Sequence, residues 1–375
     1  MNYEDKNYYL AFSYFQKIGP INMKKLEKFF PSICRAWFAN AGELERAGLR
    51  PSLISDFTTW RKSPAAAIAN MLGELKKEKI SFITWKDPDY PVLLREIAVP
   101  PPVLYYKGKI DESAGKRLAV VGSRKFSAYG DKAISELLPK LIGSGIEIIS
   151  GLALGIDALA HRKTLELKGK TWAILGSGLD SKNIYPASNR GLAEDIINHG
   201  GALISEFPPG TPPYKQNFPQ RNRLIAGLAQ ATLIIEAKIK SGALITAGWA
   251  LEENREVLAV PGNIFAEFSA GPNELIKSGA RPITAAADIL EIYGLNSSNG
   301  RTEKHPATAP FFSPKNETEA IIYEILKGAS ARAERISVDE IINQTNLDTS
   351  VINSTLSMLE IRGIAKNSES GYDLN

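Results

Sequence analysis

The residues best suited to chemistry stand together in Lys215-Gln216-Asn217-Phe218-Pro219-Gln220-Arg221-Asn222-Arg223, followed after the run Ala231 to Glu236 by Lys238 and Ser241-Gly242. Lys215, Arg221 and Arg223 are cations, Asn222 is an amide and Phe218 an aromatic ring. Cations hold phosphates and a ring stacks on any base, so the set suits a nucleic-acid strand better than a small metabolite. The stretch is expected in a loop at the edge of an α/β sheet. Arg221 and Arg223 would open the helix that continues through Leu224-Ile225-Ala226-Gly227, where a helix N-terminus attracts phosphate. The competing reading puts Phe218 in the core and the arginines in structural ion pairs.

Two further glycine turns add anion-binding capacity. Gly122-Ser123-Arg124 follows the apolar run Leu118 to Val121 and precedes a helix opening near Ser127. Free helix N–H groups beside a cation make an anion site. The turn lacks the later glycines of a dinucleotide fingerprint, and no Walker loop occurs in the chain. Gly151 and Gly155 shape a similar turn before a helix on which Asp157 and His161 share one face at i and i+4. That pair has the form of a base and its orienting acid, but no nucleophile or second carboxylate is placed beside it, so a structural role is preferred. Gly262 ends the run Val257 to Val260. No His/Cys cluster or H-E-x-x-H motif is present, and neither a metal, a cofactor nor a catalytic residue is assigned.

These residues require elements to hold them. Six short runs, Leu118–Val121, Ile146–Ile149, Trp172–Leu175, Ala202–Ile204, Leu233–Ile235 and Val257–Val260, are almost wholly apolar and alternate with helix-like segments. Strands covered on both faces read this way, and the alternation predicts a doubly wound, Rossmann-like parallel sheet, an α/β fold. Gly122, Gly151, Gly176 and Gly262 fall at the carboxyl ends of four of the runs, where such sheets bind ligands. Residues 1–75 predict a small helical domain whose Ile18-Gly19-Pro20-Ile21 corner resembles a helix-hairpin-helix turn. The α/β core would span 76–295. A Ser/Asn/Thr/Pro-rich linker is expected over 296–315, then a winged helix over 316–375 with Ser337 as an N-cap and Ile352, Leu356 and Leu359 on one helix face.

Charge separates these regions. Of 45 Lys+Arg and 41 Asp+Glu, only 5 and 10 lie after Lys315, leaving 40 and 31 before it. The last region is acidic and its expected recognition helix, Asp348 to Ile361, holds no Lys or Arg, which favours a protein partner over DNA there. A single cysteine, Cys34, excludes an internal disulfide framework and fits a reducing cytoplasm. No run reaches the ~18 apolar residues of a membrane span, and the first residues do not read as a signal peptide.

Taken in order, Gly122-Ser123-Arg124, Ser150-Gly151-Leu152-Ala153, Gly155-Ile156-Asp157 with His161, Gly178-Leu179-Asp180 with Tyr185-Pro186, Ser205-Glu206, Phe218-Pro219 with Arg221-Asn222-Arg223, Glu236-Ala237, Ser241-Gly242, Val260-Pro261-Gly262 and Asn273-Glu274-Leu275-Ile276 resemble the DprA (Smf) family of bacterial DNA-processing proteins. The resemblance implies a dimeric Rossmann-like core that binds and protects single-stranded DNA and loads the RecA recombinase during transformation or recombination. By that likeness Arg124 and Lys215 would hold phosphates and Phe218 would stack on a base. Gly122, Ser123 and Asn222 would bind the strand with them, Arg221 and Arg223 would shape or line the same pocket, and Lys238 with Ser241 would close its far side. Pro272 departs from the cysteine the family often carries, and Ser181-Lys182-Asn183 lengthen the loop before Tyr185. A different class stays open beside it, a nucleotide sensor or phosphoribohydrolase-like enzyme using Glu206 or Glu236, although the P-G-G-x-G-T-x-x-E motif of that group is missing.

Overall fold

The computed structural model describes residues 3–111, 115–295, 316–331, 335–345, 347–361, 364–368 and 371–374. The linker expected over 296–315 lies outside them, as do Arg362 and Gly363. The chain forms two compact units, Met1–Asn296 and Ser297–Asn375.

The first unit is built on a mixed sheet of β1 (Ser81–Thr84), β2 (Val103–Gly108), β3 (Arg117–Val121), β4 (Glu147–Ser150), β5 (Thr171–Ile174), β6 (Ala202–Ser205), β7 (Ala231–Ile234), β8 (Glu256–Ala259) and β9 (Arg281–Pro282). Their spatial order is β1-β2-β6-β5-β4-β3-β7-β8-β9. From β6 to β9 every pairing is parallel. The six apolar runs are the inner strands, and β3, β4, β5, β6 and β7 are buried at every residue. A parallel strand with helices on both sides has no wet face, which is why these runs do not alternate. The sheet exceeds the six expected strands: β2 joins β6 antiparallel and β1 joins β2, both lying before the first glycine turn.

Two packed layers cover the sheet. One cluster includes Ala119, Ile149, Trp172 and Ile174, and reaches through Tyr105 to Phe12, Trp37 and Phe57 of the helices between Tyr3 and Lys77. Tyr105 Oη lies 2.5 Å from Ser13 Oγ, tying β2 to the first helix. Leu118, Val120, Ile148 and Leu233 point into the other cluster, with Ile134, Leu138 and Ile289. Buried in the sheet, Arg117 lies 3.4 Å from Glu147 and its guanidinium sits 4.1 Å from the Trp172 ring.

From β3 the chain winds outward through β4, β5 and β6, then returns to place β7 on the other side of β3. The strand order therefore reverses between β3 and β7. Such a switch point leaves a crevice beyond the carboxyl ends of the strands, because the connecting helices diverge to opposite faces.

The second unit holds helices Glu317–Ala331, Val338–Thr345 and Thr349–Ile361, followed by the antiparallel pair β10 (Ala365–Ser368) and β11 (Gly371–Leu374). Ile322, Leu326, Ile341, Ile352, Leu356 and Leu359 are fully buried in its core. Ser337 caps the second helix: its hydroxyl accepts from Glu340 N at 3.3 Å, and the Glu340 carboxylate accepts from Ser337 N at 2.8 Å. The hydrogen bonds to this carboxylate hold it below the usual range.

Candidate nucleic-acid interface

A cavity of about 610 Å3 opens at the switch point. Gly122 and Arg124 reach it from the turn after β3, Asp157 from the helix after β4, and Ser241 from the start of the Gly242–Glu252 helix. Lys215, Phe218, Arg221 and Asn222 reach it from the segment that precedes β7. Strands far apart in sequence thus deliver one set of side chains to one place.

That segment is not the loop expected. The helix runs Asn217–Gly227 and begins four residues before Arg221, so Phe218 and Pro219 lie in its first turn. Proline is tolerated there because the first N–H groups of a helix have no intrahelical acceptor. The shift moves both arginines into the helix body, and their side chains are buried. Two residues apart on a helix, they point in different directions. Arg221 Nη1 donates to the Gly151 carbonyl at 2.6 Å and also to that of Ile174, and its Nε donates to Asn222 Oδ1 at 3.1 Å. Arg223 turns away from the cavity to pair with Glu206 and donate to the Val99 carbonyl.

Arg221 also sets the electrostatics of the floor. Burial lowers its pKa to about 10, so it stays cationic at neutral pH. Burial pushes the Asp157 carboxyl up, against the pull of Arg221 and of the N–H groups of Gly151, Ala153 and Gly122. The Gly151 N–H donates to Asp157 at 3.1 Å. His161 does not serve this pair. Its Nδ1 lies 2.7 Å from Thr171 Oγ1, and burial drives its pKa down to about 3, leaving the ring neutral. Asp157 and His161, neighbours on one face, therefore take separate partners.

The turn after β3 is fixed by its backbone. Ser123 N donates to the Glu236 carbonyl at 2.6 Å, Ser123 O accepts from Ile156 N, and its hydroxyl accepts from Lys125 N. Gly155 has φ +81°, and a Cβ there would stand 2.2 Å from the Ser123 carbonyl oxygen. Only glycine allows the two turns to pack so closely. Arg124 and Lys215 are exposed and make no ion pair among the described residues, so both can meet an anion. Lys238 does not line the cavity; its Nζ is 2.6 Å from Glu267. Ser241 caps its helix by accepting from Ala243 N at 3.3 Å. Gly262 stands apart as well, bonded to Asn273.

Tyr185 completes the site, and its residue type alone does not single it out. The residue is 48% exposed and lines the cavity, and its ring lies 5.7 Å from that of Phe218, inclined by 50°. The Tyr185-Pro186 pair is legible in the sequence as one of the motifs of the family resemblance, without a role; its approach to Phe218 is a product of the fold. The carboxylates weighed for hydrolysis are both engaged. Glu236 accepts from Ser127 N at 2.9 Å and from Ser127 Oγ, capping the helix after β3, while Glu206 holds Arg223. Neither lines this cavity.

The fold is of the doubly wound α/β class, with two exposed cations, unpaired among the described residues, and two neighbouring rings at its switch point, a place where such sheets leave room for a ligand. The chain belongs to the DNA recombination-mediator protein A family, which matches residues 81–294. That family is one of recombination mediators rather than enzymes. The chain is 36% identical to protein Smf of Synechocystis, with 96% of each chain covered. It is 43% identical to DNA processing protein DprA of Streptococcus pneumoniae over 58% of this chain and 77% of the relative. The solved S. pneumoniae DprA superposes with a TM-score of 0.65 at 32% identity, covering 76% of this chain and 97% of that one. A Helicobacter pylori DNA processing protein A, solved for its single-stranded DNA binding mode, superposes at 0.51 with 26% identity, covering 57% and 95%.

Proposed function

We propose that this protein binds single-stranded DNA in the switch-point cavity, protects the strand and loads RecA onto it. One observation carries the reading: the cations Arg124 and Lys215, without ion pairs among the described residues, border the same cavity as the facing rings of Phe218 and Tyr185. Phosphates would meet the cations while a base stacks against an outer ring face, an arrangement indifferent to sequence. Arg221 and Asn222 would position the helix that carries Phe218.

The protein would act as a homodimer in the cytoplasm. Ile239, Ile264 and Phe265, in the loops after β7 and β8, are 63%, 79% and 90% exposed. Large apolar side chains so exposed suit a subunit interface, and two pockets held together gain avidity along one strand. No helix among the described residues is long and apolar enough to cross a membrane. The acidic second unit, read as a winged helix over 316–375, would face a protein. The division into a helical part over 1–75 and a core over 76–295 belongs to the same reading.

Fluorescence anisotropy of a labelled poly-dT oligonucleotide tests it. Salt-sensitive binding that prefers single strands and collapses in Lys215→Ala/Phe218→Ala is expected. Binding indifferent to that double substitution would place the strand elsewhere.

A further inference from the structure

The turn after β3 presents three consecutive exposed residues, Arg124, Lys125 and Phe126, and only the first lines the switch-point cavity. One residue holds both ends of this loop: Ser123 N donates to the Glu236 carbonyl at 2.6 Å, and Ser127 N to the Glu236 carboxylate at 2.9 Å. In its middle, Lys125 N donates to Ser123 Oγ at 3.1 Å. On this short, pinned loop Phe126 is 41% exposed, and Lys125 makes no ion pair among the described residues.

The turn after β4 lies against it. A Cβ on Gly155 would stand 2.6 Å from the Arg124 carbonyl oxygen, so Leu154, one residue earlier, is close beside the same loop. Leu154 is 48% exposed and lines a recess of about 30 Å3 together with Pro186, Arg124, Tyr185 and Phe218. The last three also line the large cavity, so the recess adjoins it at the ring pair. Its volume is about that of one water molecule, and a flat ligand would lie across it rather than inside. Neither Leu154 nor Phe126 is packed into a core cluster, so the fold does not require an apolar side chain at either position.

We propose that Leu154, Phe126 and Lys125 form a platform for a further nucleotide of the strand where it leaves the cavity across Arg124, a proposal that rests on the DNA reading of that cavity. Arg124 borders both spaces and takes the phosphate between them. The outer base rests on the apolar side chains of Leu154 and Phe126, and its own phosphate meets Lys125. The occupant is more of the same strand because the surface is continuous with the cavity and repeats its chemistry: an exposed ring beside an unpaired cation fits a polyanion that carries flat bases.

Anisotropy of the full chain with labelled dT oligomers of increasing length tests the proposal, together with photocrosslinking of a single iodouracil moved along the longest oligomer. Affinity rises once the oligomer is long enough to leave the cavity, and Phe126→Ala and Leu154→Ser each reduce that gain about fivefold or more. Lys125→Ala lowers the slope of log K against log salt by about 0.7 for the long oligomer. Iodouracil at one position crosslinks to the peptide holding Phe218 or Tyr185, and at a neighbouring position to the peptide holding Phe126. A length gain that survives Phe126→Ala and Leu154→Ser, or no crosslink to the Phe126 peptide from any position, overturns the platform and leaves the cavity reading in place. Binding of no oligomer, or binding indifferent to Lys215→Ala/Phe218→Ala, overturns the cavity reading and the platform with it.

Discussion

Arg221 Nη1 donates to the Gly151 carbonyl at 2.6 Å, and a Cβ on Gly151 would stand 2.6 Å from that same nitrogen. The glycine after β4 is the space the guanidinium occupies. Gly151→Ala should therefore displace Arg221 and cost about 1–3 kcal/mol in urea denaturation, as overpacking does. Arg221→Ala should cost more, about 3–5 kcal/mol, because it strips the buried Asp157 of its counter-charge. If Gly151→Ala were neutral, the guanidinium would not be held where this contact puts it.

The rings of Phe218 and Tyr185 should contribute to strand affinity without altering its salt dependence. Base stacking is worth about 1–3 kcal/mol per base, so Phe218→Ala is expected to weaken poly-dT binding by roughly 5- to 150-fold. Tyr185→Ala should do less alone, and the double variant less than the sum, since the rings are close enough to share a base. Full additivity would mean that they act independently.

Arg124→Ala and Lys215→Ala should have the opposite signature. Each removes one phosphate contact, which lowers the slope of log K against log salt by about 0.7 for a single strand. Both side chains are exposed, so thermal stability should hardly change. A lost slope accompanied by unfolding would contradict this assignment.

Acid sensitivity should trace to His161. Its pKa falls from 6.5 unfolded to about 3 folded, so between these values the native state binds fewer protons than the unfolded chain. Stability is then lost as pH falls through that window, by up to about 1.4 kcal/mol per pH unit. Asp157, raised by burial, acts in the opposite sense, losing stability as pH rises above 3.8, and offsets part of the slope. In His161→Gln the acid loss should shrink; an unchanged denaturation profile against pH would remove His161 from the account.

Phe265→Glu should give a monomer by light scattering, since the residue is 90% exposed and makes no core contact that its loss would disturb. Strand affinity should fall with the loss of linked pockets. A dimer that survives both Phe265→Glu and Ile264→Glu would place the interface elsewhere.

The parallel core follows from residue order alone. Apolar runs such as Leu118–Val121 and Leu233–Ile235 cannot leave either face in water, and the glycines after them mark where backbone turns approach a ligand. Residue type also brings Arg124, Lys215 and Phe218 into one hypothesis, because cation and ring are recognisable without a structure. It does not separate Arg221 from Arg223. Both are the same residue, and only their helical offset sends one to Gly151 under the cavity and the other to Glu206. Nor does it give Lys238 its acidic neighbour Glu267, or bring Tyr185 to Phe218. Those contacts join residues from separate loops, whose meeting depends on how the strand order reverses and the helices pack. Residue type and local periodicity carry the fold; long-range packing decides which of the identical charges is free to meet a phosphate.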